Sequence, residues 1–160
     1  MYHYEESLTV LASPKDVFSF VDDHANFSSH MSKSSWMMGG GKMGVSIDAG
    51  QGQQVGSHIR LNGKAFGISI YLDEIVTQHQ PPHLKVWETV GMPKLLIIGR
   101  YQMKIAINPK DTGSLLLVSI DYDLPPAYPW LGKLFGGVYA KWCVRQMTRG
   151  VRDHFQAILL

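Results

Sequence analysis

The pattern of apolar and polar positions is clearest at the end of the chain. Residues 130–160 contain no proline, and Pro129 stands where a helix would begin. Small or apolar side chains recur every three or four residues and predict the buried face of one long helix: Gly136, Ala140, Val144, Met147, Val151, Phe155 and Ile158. Polar side chains in another phase predict its exposed face: Lys141, Arg145, Thr148, Arg152 and Gln156.

The buried stripe starts with small residues and ends with large ones. This order predicts a cavity under the start of the helix and a filled core under its end. The alternative is that Gly136 and Gly137 break the helix in two, because each glycine costs about 1 kcal/mol within a helix. A third apolar set lies in a different phase and must cover a loop, a bound molecule or a partner chain: Leu131, Phe135, Val138 and Trp142.

Before this helix, most of the chain has the alternating polarity of strands. A first strand ends at residues 7–12, Ser13 and Pro14 then start a short helix, and residues 25–31 predict a second one. Further strands are predicted at 42–47, 55–61, 65–73, 83–90, 95–107 and 114–122. Asn62-Gly63 predicts a hairpin turn. Hairpin links imply an antiparallel meander that curls and buries one face against the long helix.

Composition limits the classes of function. A chain of 160 residues suits a single domain, 1–160. The 15 Lys and Arg against 13 Asp and Glu give +2, a balance that argues for neither nucleic acid nor an anionic membrane as a partner. The single Cys143 excludes an internal disulfide and a Cys-rich zinc site, and it favours a cytoplasmic setting. The first six residues lack the features of a signal peptide, and the longest aliphatic runs are too short for a membrane span.

Two stretches carry a resemblance to a known family. Residues 8–23, LTVLASPKDVFSFVDD, read as a strand followed by a helix start, and residues 120–125, IDYDLP, end the last strand before the long helix. Together with the element order, they resemble the START-like (SRPBCC) superfamily, which includes the birch-pollen-allergen (Bet v 1) fold, polyketide cyclases/dehydrases and small lipid-transfer domains. The resemblance implies an α+β helix-grip fold, in which a curved antiparallel sheet of about six or seven strands surrounds the C-terminal helix and leaves an apolar cavity. It supplies no catalytic signature.

Candidate catalytic side chains lie among the predicted strands. The candidates are Arg60 to polarise a carbonyl, Tyr101 or Tyr122 as acid, and Asp121 or Glu88 as base. The sequence supports them only weakly, because the alternation of polar and apolar residues does not tell which face of the sheet is inside. His24 and His30 lie six residues apart beside Asp22 and Asp23, but solvated helix ends are favoured over a metal site. We expect no metal and no cofactor.

Aromatic and small residues are the better candidates for ligand contact. Aromatic rings combine apolar walls with polar tips, as an amphipathic ligand requires. The predicted ligand-binding residues are Trp36, Met38, Trp87, Tyr101, Tyr122, Gly136, Tyr139 and Ala140. The favoured function is binding of a hydrophobic or amphipathic small molecule, such as a lipid or a polyketide-like compound. The alternatives are a cofactor-free cyclase/dehydrase and an accessory interaction domain that forms a homodimer through Phe135, Val138 and Trp142.

Overall fold

A computed structural model describes residues 1–23, 43–65 and 67–158. Seven strands and two helices occur in these ranges, and the helices are α1 (Pro14–Asp22) and α2 (Pro129–Ile158). The strands are β1 (Tyr2–Val10), β2 (Met43–Ile47), β3 (His58–Ala65), β4 (Ile68–Gln80), β5 (Leu84–Thr89), β6 (Tyr101–Lys110) and β7 (Gly113–Tyr122).

The strands form one antiparallel sheet in the order β1-β7-β6-β5-β4-β3-β2. Each strand from β2 to β6 pairs with the next one along the chain, whereas β1 pairs with the last strand, β7, from Tyr2↔Tyr122 to Val10↔Ser114. Helix α2 packs against one face, which we call the inner face, and α1 packs against the same core. The predicted helix-grip arrangement is confirmed.

Alternation along the strands selects the inner face. In β6, Met103, Ile105 and Ile107 are buried, while Lys104 between them and Asn108 after them are exposed. A change of register between Val76 and Gln78 interrupts this alternation in β4. Before this change, even-numbered residues of β4 such as Leu72 and Glu74 lie on the inner face. Beyond it the odd-numbered His79 does, where it pairs with the buried Lys85.

Helix α1 begins as its sequence predicts. Pro14 occupies the first turn, and the Ser13 side chain accepts a hydrogen bond from the Asp16 backbone N–H at 3.2 Å. Val17, Phe18 and Val21 form its buried face. The predicted second short helix, 25–31, lies outside the described residues.

Helix α2 is continuous through Gly136 and Gly137, so the alternative of two separate helices is wrong. The described members of the predicted stripe, from Gly136 to Val151, are buried, and Phe155 is half-buried. The prediction that Thr148 lies on the exposed face is wrong. This side chain is buried against β1, where its one hydroxyl hydrogen has two acceptors in reach, the Glu6 carboxylate at 3.4 Å and the Arg145 carbonyl at 3.2 Å.

The hairpin predicted at Asn62-Gly63 is displaced. Both residues lie within β3, and the turn lies between Ala65 and Ile68, which are paired. Gly67 has a φ of +76°, which a tight turn favours and most other residues avoid. Leu61 and Leu72 share a face in either register, so hydrophobic alternation does not distinguish the two turns.

The strand predicted at 95–107 begins later, at Tyr101. The preceding residues are irregular because the chain passes close to the end of β7. The Gly99 N–H donates to the Asp123 carbonyl at 2.8 Å, and a Cβ on Gly99 would lie 2.6 Å from the Leu124 carbonyl oxygen. The run Leu95–Ile98 is therefore apolar because it is packed under α2, with Ile98 buried, and not because it belongs to the sheet.

Candidate ligand pocket

A pocket lies between the inner face of the sheet and α2. The pocket is small: the volume that water molecules can reach with their centres is about 40 Å³, which is room for a few waters. Strands β3 to β7, the irregular wall 95–98 and α2 supply its lining: Leu61, Leu72, Glu74, Trp87, Leu95, Ile98, Tyr101, Met103, Ile120, Tyr139, Cys143 and Met147.

The three helix residues of the lining explain how α2 shapes this space. Tyr139, Cys143 and Met147 are spaced by four residues, so they lie along one face of the helix above the strands. The small residues of the predicted stripe are Gly136, which precedes these three, and Ala140, which follows Tyr139. Ala140 is fully buried in the core, and Gly136 brings the helix to within 3.2 Å of the Tyr122 ring, measured from the position of a Cβ.

Glu74 is the acidic side chain in this mostly apolar lining. It lies on β4, is 3% exposed, and forms hydrogen bonds with the side chains of Tyr101 and Trp87. Burial raises the pKa of Glu74 to about 8, although both hydrogen bonds and the charge of Lys85 act in the opposite direction. At neutral pH most of the Glu74 carboxyl is therefore protonated, and it can both donate and accept a hydrogen bond.

The other polar groups of the pocket are neutral as well. Burial raises the pKa values of the Tyr101 and Tyr139 hydroxyls well above their usual range, and the charge of Glu74 adds to the shift at Tyr101. Burial also raises the pKa of Cys143 to about 12, against a hydrogen bond with Tyr139. Cys143 is thus an un-ionised thiol, which disfavours it as a nucleophile.

A second buried polar cluster lies next to the pocket, behind Trp87. The Lys85 ammonium is fully buried, 3.0 Å from an Asp22 carboxylate oxygen and 5.7 Å from the centre of the Trp87 ring. His79 contacts the other Asp22 oxygen through Nε2 at 2.9 Å. Burial lowers the pKa of Lys85, while Asp22 raises it. The cluster fastens the end of α1 to β4 and β5.

The predicted ligand-binding residues fall into three groups. Trp87, Tyr101 and Tyr139 line the pocket. Three others lie outside that lining: Gly136 and Ala140 are on the buried face of α2, and Tyr122 lies beneath the helix. The Tyr122 ring stacks on Tyr2 with a ring separation of 5.5 Å. Trp36 and Met38 lie outside the described residues, as do His24 and His30. A role in ligand contact stays a prediction for all eight ligand-binding candidates.

Three of the five catalytic candidates lie on the opposite face of the sheet from the pocket. Arg60 Nε is 3.6 Å from Asp73, and the Glu88 carboxylate accepts a hydrogen bond from Gln102 at 3.1 Å. Asp121 contacts His3 at 2.7 Å, and this hydrogen bond raises the pKa of His3. The structure brings none of these three together with Tyr101 or Tyr122.

The sequence interpretation missed Glu74, although a signal for it was present. In β4 the buried positions are Ile70, Leu72, Glu74 and Val76, so Glu74 occupies an apolar position of an alternating strand. A charged residue in that phase indicates a buried functional group or a buried ion pair. Met147 belonged to the predicted buried stripe of the helix and Cys143 did not, and neither was expected to line a site.

Comparisons with known proteins agree with this architecture. The family described as polyketide cyclase/dehydrase and lipid transport matches residues 1–154. The chain belongs to this family. The description joins enzymes with lipid-transport proteins, so membership supports binding of hydrophobic ligands at the level of the family and is compatible with a carrier or an enzyme. A search of the curated proteins found no match.

Solved structures share the fold at low sequence identity. The protein TTHA0849 from Thermus thermophilus is 12% identical over 98% of this chain and 99% of its own, with a TM-score of 0.68. Truncated norcoclaurine synthase from Thalictrum flavum is 18% identical over 94% and 90%, with a TM-score of 0.65. Ginseng major latex-like protein 151 from Panax ginseng is 12% identical over 96% and 97%, with a TM-score of 0.63.

Two searches for other kinds of site apply to the described residues only. Within residues 1–23, 43–65 and 67–158, no three His, Cys, Asp or Glu side chains converge in a way that would hold a metal ion. Neither helix of these ranges is long and apolar enough to cross a membrane.

Proposed function

We propose that this protein binds a hydrophobic or amphipathic small molecule, lipid or polyketide-like, between the inner face of the sheet and α2. The observation that carries the proposal is an apolar lining that surrounds one buried, hydrogen-bonded carboxyl group. The apolar side chains favour the hydrocarbon part of such a ligand, and Glu74 with Tyr101 offers hydrogen bonds to its polar end.

The ligand must enlarge the pocket, since sites for such molecules usually occupy about 300–1,000 Å³. The segment that moves to make this space is the irregular wall 95–98. Backbone hydrogen bonds hold it at both ends, between Tyr71 and Lys94 and between Gly99 and Asp123, whereas the strands of the lining are paired along their length. Met103 and Met147 can also adjust, because methionine side chains are unbranched and flexible.

The test is a denaturing extraction of freshly purified protein, followed by mass spectrometry. We expect an apolar compound at close to one equivalent. Cys143→Leu adds volume inside the lining and should lower the occupancy about tenfold or more, because overpacking a pocket competes with its ligand. Arg149→Leu, on the exposed side of α2, is the control and should retain the compound. An empty extract, together with no binding of an apolar dye at micromolar concentration, would refute the proposal.

A cofactor-free enzyme of the cyclase/dehydrase kind is the second candidate. It is favoured by one observation, which is that Glu74 has a pKa of about 8 and forms a hydrogen bond with Tyr101 inside the pocket. Such a carboxyl group can exchange a proton with a bound substrate near neutral pH. If polyketide-like compounds are turned over, Glu74→Gln should lower kcat by about 10²–10⁴-fold. Glu5→Gln makes the same chemical change at an exposed position of β1 and should leave turnover unchanged.

A further inference from the structure

The start of α2 exposes an apolar surface that the pocket does not use. We call it the outer patch, and it consists of Trp130, Leu134, Phe135 and Val138. These side chains are between 49% and 64% exposed. Trp130, Leu134 and Val138 follow each other at intervals of four residues, so they form one stripe on the helix surface that faces away from the sheet. Contiguous exposed apolar side chains indicate an interaction surface.

The segment around the outer patch carries basic side chains and no acidic ones. Residues 124–152 contain five of the 15 Lys and Arg residues of the chain and none of its 13 Asp and Glu residues. Lys141, Arg145 and Arg152 continue the stripe of the outer patch toward the end of α2, and all three are exposed. Arg145 forms an ion pair with Glu6 at 2.8 Å, and Arg152 forms one with Asp153, the residue that follows this segment, at 3.9 Å. The exposed face of α2 is thus apolar in its first turns and basic in the later ones.

We infer that the exposed face of α2 docks the protein on an anionic phospholipid bilayer. The apolar side chains of the outer patch enter the boundary between headgroups and acyl chains, and the basic side chains of the later turns contact lipid phosphates. Helices that lie in a membrane interface combine these two features, an exposed apolar surface with Trp, Phe and Leu and a face rich in Lys and Arg. The helix lies on the surface and does not cross the bilayer.

Charge complementarity favours a bilayer over a second copy of the chain. A two-fold dimer brings the same surface of both subunits together. Two copies of residues 124–152 carry ten basic residues and no acidic one, so a contact between them would bring together surfaces of the same charge. An anionic lipid surface supplies the opposite charge. This inference is independent of the pocket, because it holds whether or not a ligand is found there.

The test is co-sedimentation of the full chain with phosphatidylcholine vesicles that contain about 30% phosphatidylserine, and with vesicles of phosphatidylcholine alone. We expect binding to the anionic vesicles and about tenfold less to the neutral ones. Leu134→Asn with Phe135→Asn should weaken binding about tenfold or more, because it removes the apolar part of the surface. Leu11→Asn with Val55→Asn changes similarly exposed apolar residues elsewhere and should bind like the wild type.

A second pair of variants tests the charge. Lys141→Gln with Arg149→Gln should weaken binding to the anionic vesicles, and added salt should do the same. The matched control is Lys64→Gln with Lys104→Gln, which removes two exposed lysines on the sheet and should leave binding unchanged. Insertion itself is read from tryptophan emission, and Trp130→Phe should remove most of the shift that the vesicles induce.

Three outcomes would overturn the inference. The first is no binding to the anionic vesicles at low salt. The second is binding that Leu134→Asn with Phe135→Asn leaves intact, since contact would then be electrostatic without insertion. The third is a dimer in sedimentation velocity that the same double variant dissociates, because the outer patch would then be an interface between copies of this chain.

Discussion

Glu74 shows how one buried carboxyl group affects the stability of the whole protein. Its pKa is about 8 in the folded state and near 4.5 in the unfolded chain. The folded protein therefore keeps a proton that the unfolded chain loses. The resulting stabilisation is complete below about pH 4.5 and is lost as the pH rises through about 8.

The first prediction concerns this pH dependence. Relative to Glu74→Gln, the wild type should lose about 1.4 kcal/mol of unfolding free energy per pH unit between about pH 5 and pH 8. Denaturant unfolding at several pH values measures the difference. Glu88→Gln, on the opposite face of the sheet, is the control for the chemical change. Parallel profiles for the wild type and Glu74→Gln would contradict the raised pKa.

The second prediction concerns the buried ion pair of Asp22 and Lys85. Asp22→Ala removes the carboxylate nearest to a fully buried ammonium group and should destabilise the protein by about 3–5 kcal/mol. Adding Lys85→Met replaces that ammonium with an apolar group and should recover more than half of the loss. Thermal and denaturant unfolding of the single and double variants provide the test. A single variant that costs less than about 1 kcal/mol would show that Lys85 is not dependent on Asp22.

For single residues, the sequence predicted well which aromatic side chains lie near the pocket and predicted poorly which charged side chains do. Trp87, Tyr101 and Tyr139 were expected near a ligand and do line the pocket. Arg60 and Glu88 were chosen as charged residues in strands, but strand parity places them outside. The same parity places Glu74 inside, so the decisive information was the phase of each strand and not the type of residue.

At the scale of elements, the contacts of α2 depend on where glycine allows close approach. A Cβ on Gly132 would lie 2.6 Å from Pro125 Cδ and 2.8 Å from Leu124 Cδ2, whereas a Cβ on Gly150 has open space around it. The first glycine lets the helix pack against the preceding loop. The second only weakens the helix.

The third prediction compares these two glycines. Gly132→Ala should destabilise the protein by about 1–3 kcal/mol, because the methyl group overpacks the contact with the loop. Gly150→Ala makes the same chemical change in the same helix and should stabilise it by about 0.5–1 kcal/mol. Thermal unfolding distinguishes the two. Equal effects of the two variants would mean that helix propensity alone determines the outcome.

Sequence patterns predicted which elements exist better than where they begin and end. The cap at Ser13 and the continuous face of α2 follow from local chemistry, which a single sequence displays. The displaced hairpin and the late start of β6 depend on contacts between distant segments. Pairing of Leu61 with Leu72 and the approach of Gly99 to Leu124 are examples, and no local pattern encodes them.

At the scale of the whole molecule, the small size of the pocket couples the ligand binding that we propose to an opening of the wall 95–98. The free energy needed to move the wall 95–98 reduces the observed free energy of binding, because only the open state would bind the ligand. A change that creates space in advance should therefore strengthen binding while it weakens the empty fold.

The fourth prediction uses Met147 to create that space. Met147→Ala should destabilise the empty protein by about 2–5 kcal/mol and should increase its affinity for an apolar dye. Val144→Ala provides the control, because Val144 is buried in the same helix but is not part of the lining. It should lose stability with no gain in affinity. Dye titration and thermal unfolding of both variants decide the matter, and an equal affinity gain in the control would refute the coupling.

The pairing of β1 with β7 also determines when this protein can fold during its synthesis. Tyr2 pairs with Tyr122, so β1 cannot form its native pairing during synthesis until β7, the last strand, has left the ribosome. During that interval the apolar face of α1, with Val17, Phe18 and Val21, lacks the contacts with β6 and β7 that it has in the native state. The nascent chain is therefore most exposed to aggregation and to chaperone capture before residue 122 leaves the exit tunnel.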